Sequence, residues 1–446
     1  MKAFITLWLP IFLSNSIIML GGLFDTLFLS HFSSLHVAAQ AVCLSVYSLV
    51  FVSGMGLLQG MMQELSEANG RRAFDDIQRI VKQSIFIVLC LSGFAGWLLT
   101  HADPLLDLLA IGPELKQLIQ PCLYLLAWTI PAHLLVRILY ILTQSCGQSK
   151  YVLYANAVYL VLKVGLAYVF IFGQDAWSIP AYGVKGAFIA HLISQWLMLP
   201  IYALFFLEKK FRIQWKGRFF HFSIMWNILK IGLPSAVVVF IDVFTVSAIA
   251  LLILPLGDLV VNAHQIALGL CGLMFMLPLS LSSAFSILVS TQIGAEQTAK
   301  AWGLTKRALL VVPLIAITIA TTVAIFKMPI LSVFSDNQQV LSITLSLIFL
   351  LCWMHMFDAL LVISVSMLRC WKVIILPMVI FSSTLLLLGL GGGWYLAYHP
   401  MSLLNLTWSA QGIQGFWWML AIAYSIAALL CVFCLIWRYR SAHRAV

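Results

Sequence analysis

Val237-Val-Val-Phe-Ile-Asp242-Val-Phe244 is an apolar run interrupted by a single carboxylate. The pattern recurs in Leu20-Gly-Gly-Leu-Phe-Asp25-Thr-Leu-Phe-Leu29, and again where Asp358 follows His355-Met-Phe. An ionised carboxylate at mid-bilayer costs about 2.5–3.5 kcal/mol on insertion scales. Each acid is therefore expected to face a protein interior or a wet cavity, where it can bind cations or exchange protons.

The surroundings of these runs fix the class. The chain has 446 residues, 63% hydrophobic and 9% charged, with a mean hydropathy of +1.04. Soluble domains carry roughly 25% charged residues, so the composition is that of a polytopic membrane protein. A bilayer core needs about 20 apolar residues per helix. Counting such runs predicts twelve spans, at 5–30, 36–65, 80–100, 121–146, 151–174, 183–207, 224–254, 260–290, 306–327, 339–369, 373–397 and 414–438. Pro131, Pro234, Pro278 and Pro377 are candidate kink sites within them.

The formal net charge of +10 does not indicate nucleic acid, because the basic residues follow the loops. Among the 25 Lys and Arg residues, only Lys116, Lys185 and Lys327 fall in one alternating set of loops, and only Arg137 and Lys163 fall inside helices. The rest sit on the other face, which the positive-inside rule makes cytoplasmic together with both termini. Lys2 precedes the first run and no small-residue cleavage site follows it, so that run reads as a retained helix. The nine cysteines show no metal-binding spacing, and Cys431 and Cys434, one turn apart in an apolar run, read as core.

The chain also repeats itself. Leu9-Pro10 recurs as Leu233-Pro234, Ala39-Gln40 as His264-Gln265, and Asn69-Gly70 as Ile293-Gly294. Tyr182-Gly-Val-Lys-Gly186 has its counterpart in Gln411-Gly-Ile-Gln-Gly415. With six helices in each copy the repeat is parallel, predicting an N-terminal lobe at 1–215 and a C-terminal lobe at 216–446. Transporters built this way hold substrate near the midplane at the repeat interface.

Several segments carry a resemblance. Ile231-Gly-Leu-Pro-Ser-Ala-Val-Val-Val-Phe-Ile-Asp242, Pro255-Leu-Gly257, Asn262-Ala-His-Gln-Ile-Ala267, Met276-Leu-Pro-Leu-Ser-Leu-Ser282 and Gly294-Ala295 follow one another in order. With Phe24-Asp25-Thr26, His355-Met-Phe-Asp358 and Leu368-Arg369, the set resembles the multidrug and toxic compound extrusion (MATE) transporters, particularly the NorM-like branch. The resemblance implies an all-α protein of twelve transmembrane helices in two pseudosymmetric six-helix lobes around a central cavity. It implies expulsion of substrates in exchange for Na⁺ or H⁺.

Asp242 and Asp358 match the acids that bind the coupling cation in the C-terminal lobe of such transporters, and Asp25 matches the first-helix coupling acid. Two nearby carboxylates offer hard oxygen ligands to Na⁺, or one of them can hold a proton. Relatives often carry glutamate at the position of Asp242, and the shorter side chain alters the reach. In Val161-Leu-Lys163-Val-Gly-Leu-Ala167-Tyr168, Lys163 and Ala167 stand where many relatives carry asparagines. A lysine at that depth needs a counter-charge, and Asp25 is the natural one; snorkelling is the alternative. Arg137 could pair with Asp25 or with a substrate anion, or snorkel to the interface. Polar residues on cavity-facing helices, among them Asn156, His191, Gln195, His264, Gln265 and His355, are candidates for substrate contact or helix packing.

The expected function is a secondary active antiporter of the bacterial inner membrane that exports amphipathic cationic drugs and toxins. A dedicated exporter of a metabolite, siderophore or peptide is the alternative, as is a lipid or polysaccharide flippase of the same superfamily. The expected partners are small-molecule substrates, Na⁺ or H⁺ and the lipid bilayer, with a monomeric protein, no nucleic acid and no cofactor. No Walker motif, nucleophile elbow or metal cluster is visible, so an enzyme is not expected.

Overall fold

The protein is described here by a computed structural model covering residues 2–108, 111–206, 220–403 and 406–444. Among the described residues, 12 helices are long and apolar enough to cross a membrane. The first six are Phe4–Phe32, Ser34–Gly70, Phe74–Thr100, Pro113–Ser145, Ser149–Phe172 and Val184–Phe205. The seventh to twelfth are Phe222–Leu256, Asp258–Gly294, Thr298–Ile325, Gln338–Cys370, Ile375–Tyr398 and Ile413–Ser441.

Several of these helices are longer than their apolar cores. The third begins at Phe74 rather than 80, with Asp75 and Asp76 in its first turn, where acidic groups suit the positive end of the helix dipole. The fourth begins with Pro113 at N1, a position that lacks an intrahelical partner in any case. Polar turns thus extend the helices beyond the hydrocarbon layer. At the start of the tenth helix Asn337 Oδ1 accepts from Gln339 N (2.9 Å) and Val340 N (3.4 Å), an N-cap that the chain spells out.

The chain divides into two compact units, Met1–Ala236 and Val237–Val446. The boundary expected between 215 and 216 lies outside the described residues. Several helix pairings recur in both units, whereas the extensive packing of the first helix on the fifth has no equally extensive counterpart between the seventh and eleventh among the described residues. The second lies on the third and fourth, the third on the fourth, and the fourth and fifth on the sixth. In the second unit the eighth lies on the ninth and tenth, the ninth on the tenth, and the tenth and eleventh on the twelfth. The second and eighth helices both have 37 residues, and the fourth and tenth both have 33.

The repeat extends to the helix ends. Ala73 N donates to Ala68 O and Gln297 N to Gln292 O, while Gln148 N donates to Thr143 O and Val373 N to Leu368 O. The left-handed residues completing these closures are Arg72 (φ 57), Glu296 (φ 59), Gly147 (φ 79) and Lys372 (φ 61). A bond from the sixth residue back to the first with a left-handed residue between them is a Schellman closure, and it satisfies carbonyls that the helix leaves open.

Two features depart from the sequence reading. Pro377 sits in the first turn of the eleventh helix, in its opening α-helical stretch Ile375–Ser383, where its missing N–H removes no intrahelical bond, so it is not a kink site. The irregularity of that helix comes instead from the π-helical turns at Thr384–Gly392. Pro131, Pro234 and Pro278 do lie inside helices. The connection before the twelfth helix pairs Met401–Leu403 with Leu406–Trp408 as a small antiparallel ribbon, a short extended element beside an otherwise helical fold.

The repeated Gly186 and Gly415 have a steric explanation. A Cβ at Gly186 would overlap the Phe170 carbonyl at the end of the fifth helix, and one at Gly415 would sit 2.7 Å from Ala397 N. Both obstacles are backbone. Gly186→Ala and Gly415→Ala should each lose about 1–3 kcal/mol, read as a lower melting temperature in detergent. Gly165→Ala, whose added Cβ meets nothing within 4 Å, is the control and should match or exceed the unaltered protein. Equal stability in all three variants would show that neither glycine is needed for close approach.

Candidate functional sites in the two units

In the first unit, Asp25 and Lys163 are 8% and 6% exposed. They meet directly, with Lys163 Nζ 2.6 Å from Asp25 Oδ2. Lys163 Nζ also donates to the Gly21 carbonyl at 3.0 Å. This pair is the deepest rung of a ladder between the first and fifth helices. Ser149 Oγ donates to Leu7 O at 2.9 Å, and Asn156 donates to the Ser14 hydroxyl. Ser149, Asn156 and Lys163 are seven residues apart, as are Leu7, Ser14 and Gly21. A seven-residue step brings a helix back to nearly the same face, so all three rungs lie in one seam. Asp25 Oδ1 has no hydrogen-bond partner among the described residues.

Beside the ladder lies a cluster of rings. Tyr47 Oη and His133 Nδ1 share a hydrogen bond of 2.8 Å, and Tyr159 Oη and His191 Nδ1 share another of 2.8 Å. The two imidazoles stand edge to face with centroids 5.5 Å apart, and Phe51 stacks on His133 at 3.9 Å. Lys163 lies within electrostatic reach of both histidines, and Arg137, one turn beyond His133, lies within reach of that ring. Arg137 makes no ion pair among the described residues, and its Nε is buried without a hydrogen-bond partner. It therefore does not share Asp25 with Lys163.

In the second unit the geometry differs. Tyr424 Oη on the twelfth helix donates to Asp242 Oδ1 at 2.6 Å. Asp358 on the tenth helix lies within electrostatic reach of both Asp242 and Tyr424. No Lys or Arg among the described residues pairs with either carboxylate. The arrangement is two acids and a phenol converging from three helices, a set of hard oxygen donors that suits a small cation or a held proton. His355 is buried, its Nε2 without a partner among the described residues. His264 receives Trp417 Nε1 at 3.3 Å. Gln265 is exposed on the eighth helix, apart from these contacts.

A chain of twelve membrane-crossing helices with acids inside the membrane-crossing helices of both units has the architecture of a polytopic membrane transporter. Residues 10–169 and 234–394 match the family model described as MatE, one match in each half. The chain belongs to the MATE transporter family. It is 30% identical over 436 residues to the probable multidrug resistance protein NorM of Pasteurella multocida (strain Pm70), covering 96% of this chain and 92% of that protein. It is 27% identical over 441 residues to the multidrug resistance protein MdtK of Yersinia pseudotuberculosis serotype O:1b, covering 98% and 95%. The fold matches the crystal structure of the eukaryotic MATE transporter AtDTX14, with a TM-score of 0.86 at 19% identity over 100% and 98% of the chains. It also matches a MATE transporter in the bent conformation, with a TM-score of 0.88 at 16% identity over 100% and 96%.

Proposed function

We propose that this chain is a secondary active antiporter of a bacterial inner membrane, with both termini in the cytoplasm. It exports amphipathic organic cations, drugs and toxins among them, in exchange for Na⁺ or H⁺ by alternating access. The NorM and MdtK relatives are named as multidrug resistance proteins, which supports the cargo class.

The observation that carries the coupling reading is the unequal state of the acids. Asp25 is already matched by a built-in cation at 2.6 Å, so an ion arriving there would have to compete with Lys163. Among the described residues, Asp242 is held only by a neutral phenol at 2.6 Å, and a second carboxylate stands near it. Two acids without a counter-cation are destabilised unless a cation or proton joins them. That asymmetry supports ion coupling at Asp242 and Asp358 and a structural or gating part for Asp25.

The test uses purified protein in liposomes loaded with a cationic dye, with a Na⁺ gradient and a pH gradient imposed separately. A tenfold ion gradient supplies about 1.4 kcal/mol per ion exchanged, enough to sustain roughly tenfold dye accumulation at one-for-one exchange. One of the two gradients should drive uphill movement of the dye. Movement that neither gradient accelerates sinks the antiport reading.

A further inference from the structure

At one matched place the two units differ. In the second, Phe349, Trp353 and Trp418 form a cluster, with the Trp418 ring 5.8 Å from Trp353 and 6.4 Å from Phe349. The Trp353 indole donates to Ser425 Oγ at 2.9 Å. Tyr124 and Trp128 hold the places of Phe349 and Trp353, 225 residues earlier, the interval that also separates the closures at Gln148 and Val373. Ile189 holds the place of Trp418, 229 residues earlier, as Gly186 does for Gly415. With isoleucine there instead of tryptophan, the first unit has an open groove of about 510 Å³. Tyr124 is 53% and Trp128 68% exposed.

The lining has a polar end and an apolar end. Gln117, Gln120, Pro121, Tyr124 and Trp128 share one face of the fourth helix, and Lys185 stands at the start of the sixth. Gln117 to Trp128 spans roughly 16 Å along the axis, and exposed Trp and Tyr on a membrane-crossing helix mark the lipid interface. Lys185 is exposed, its ammonium 5.9 Å from the Tyr182 ring centroid. It pairs with no carboxylate among the described residues. The nearby Asp103 and Asp107 are held by Lys116 at 3.8 and 2.6 Å, and Asp103 also by Gln120 at 2.6 Å. The second unit carries Gln414 at the matching position, so the turn itself does not call for a cation. Pro121 has no N–H to give the Gln117 carbonyl one turn back, which leaves an acceptor beside the groove.

We propose that this groove binds a phospholipid with an anionic, hydroxyl-bearing headgroup, of the phosphatidylglycerol class. The phosphodiester meets Lys185, a headgroup hydroxyl donates to the Gln117 carbonyl, and the acyl chain lies along Tyr124 and Trp128. A soluble anion has no chain to lay against that aromatic wall, so the occupant is a lipid. Its binding is independent of the cargo and of the coupling ion.

Purified protein in detergent is titrated with phosphatidylglycerol, phosphatidylcholine or phosphatidylmethanol of the same acyl chains, and bound lipids are counted by native mass spectrometry. The first phosphatidylglycerol should be held about tenfold more tightly than phosphatidylcholine, the scale of one lysine–phosphate contact. Phosphatidylmethanol keeps the anionic phosphodiester and lacks the hydroxyls, and should bind about fivefold more weakly than phosphatidylglycerol, the scale of one neutral hydrogen bond. Lys185→Gln should lower phosphatidylglycerol to the level of phosphatidylcholine. Pro121→Ala, which returns an N–H to the Gln117 carbonyl, should erase the difference between phosphatidylglycerol and phosphatidylmethanol, with phosphatidylmethanol binding unchanged. Ile189→Trp, the residue the second unit uses, should fill the groove and abolish tight binding; if it fails to accumulate, Lys185→Gln decides.

Equal affinity for phosphatidylglycerol and phosphatidylcholine, or a preference that survives Lys185→Gln, overturns the site. Equal affinity for phosphatidylglycerol and phosphatidylmethanol in the unaltered protein overturns the hydroxyl contact. A dimer that dissociates in Lys185→Gln, with no retained lipid in either protein, overturns the lipid and makes the groove an interface between two copies.

Discussion

Asp242→Asn and Asp358→Asn should each abolish gradient-driven efflux while leaving the protein folded and inserted. The reason lies in what the amide keeps and what it loses. Tyr424 Oη donates to Asp242 Oδ1 at 2.6 Å, and an amide oxygen in the same place still accepts that bond, so the contact between the seventh and twelfth helices survives. The negative charge does not survive, and with it goes the ability to hold a proton or ligate Na⁺ as a carboxylate does. Asp358→Asn leaves Asp242 without the second carboxylate charge beside it. Coupled rates should fall at least tenfold, equivalent to about 1.4 kcal/mol in the barrier, towards passive leak. Efflux is measured in proteoliposomes under the gradient that drives the unaltered protein. Tyr424→Phe, which removes the hydroxyl and little else, should fall between. Unaltered coupled rates in both asparagine variants would remove these acids from the mechanism.

The spans were legible because a bilayer imposes a length: about 20 consecutive apolar residues leave a signal that no local ambiguity erases. The helix ends were less so. The turns from Phe74 to Arg79 and around Pro113 are polar, and hydropathy falls away there although the backbone remains helical. The three acids stood out because burying charge is costly, and the contact between Asp25 and Lys163 followed from the same cost. Tyr424 was missed, since a tyrosine in an apolar helix gives no sign of whether its hydroxyl meets headgroups or a carboxylate. The Tyr47–His133 and Tyr159–His191 pairs join residues on different helices, and nothing local in the sequence links them. The ladder between the first and fifth helices was also missed, although its spacing carried a signal. Ser149, Asn156 and Lys163 keep a seven-residue step, and polar groups at that spacing in an apolar helix mark one face turned towards a partner.

That ladder makes the Asp25–Lys163 pair the most sensitive point of the first unit. Breaking a buried ion pair by removing one member is costly, about 3–5 kcal/mol, because the remaining charge is left uncompensated. The two single variants should not be equal. In Asp25→Asn the ammonium of Lys163 still has the Gly21 carbonyl at 3.0 Å and gains an amide oxygen in place of the carboxylate. In Lys163→Asn the carboxylate of Asp25 loses its 2.6 Å partner, and its other oxygen already lacks a hydrogen bond among the described residues. Lys163→Asn should therefore be the more damaging change. The double variant, Asp25→Asn with Lys163→Asn, leaves no stranded charge and should recover much of the lost stability. Its coupling energy should exceed about 1 kcal/mol, within the range that separates contacting from independent residues. Melting temperatures of the four proteins in one detergent close the cycle, and strictly additive losses would mean that the two charges do not compensate one another in the membrane. Efflux divides the remaining possibilities. If Asp25 serves the fold and the gating of the first unit while Asp242 and Asp358 carry the ion, the stable double variant should keep gradient-driven transport. A double variant that is stable yet uncoupled would place Asp25 among the coupling residues.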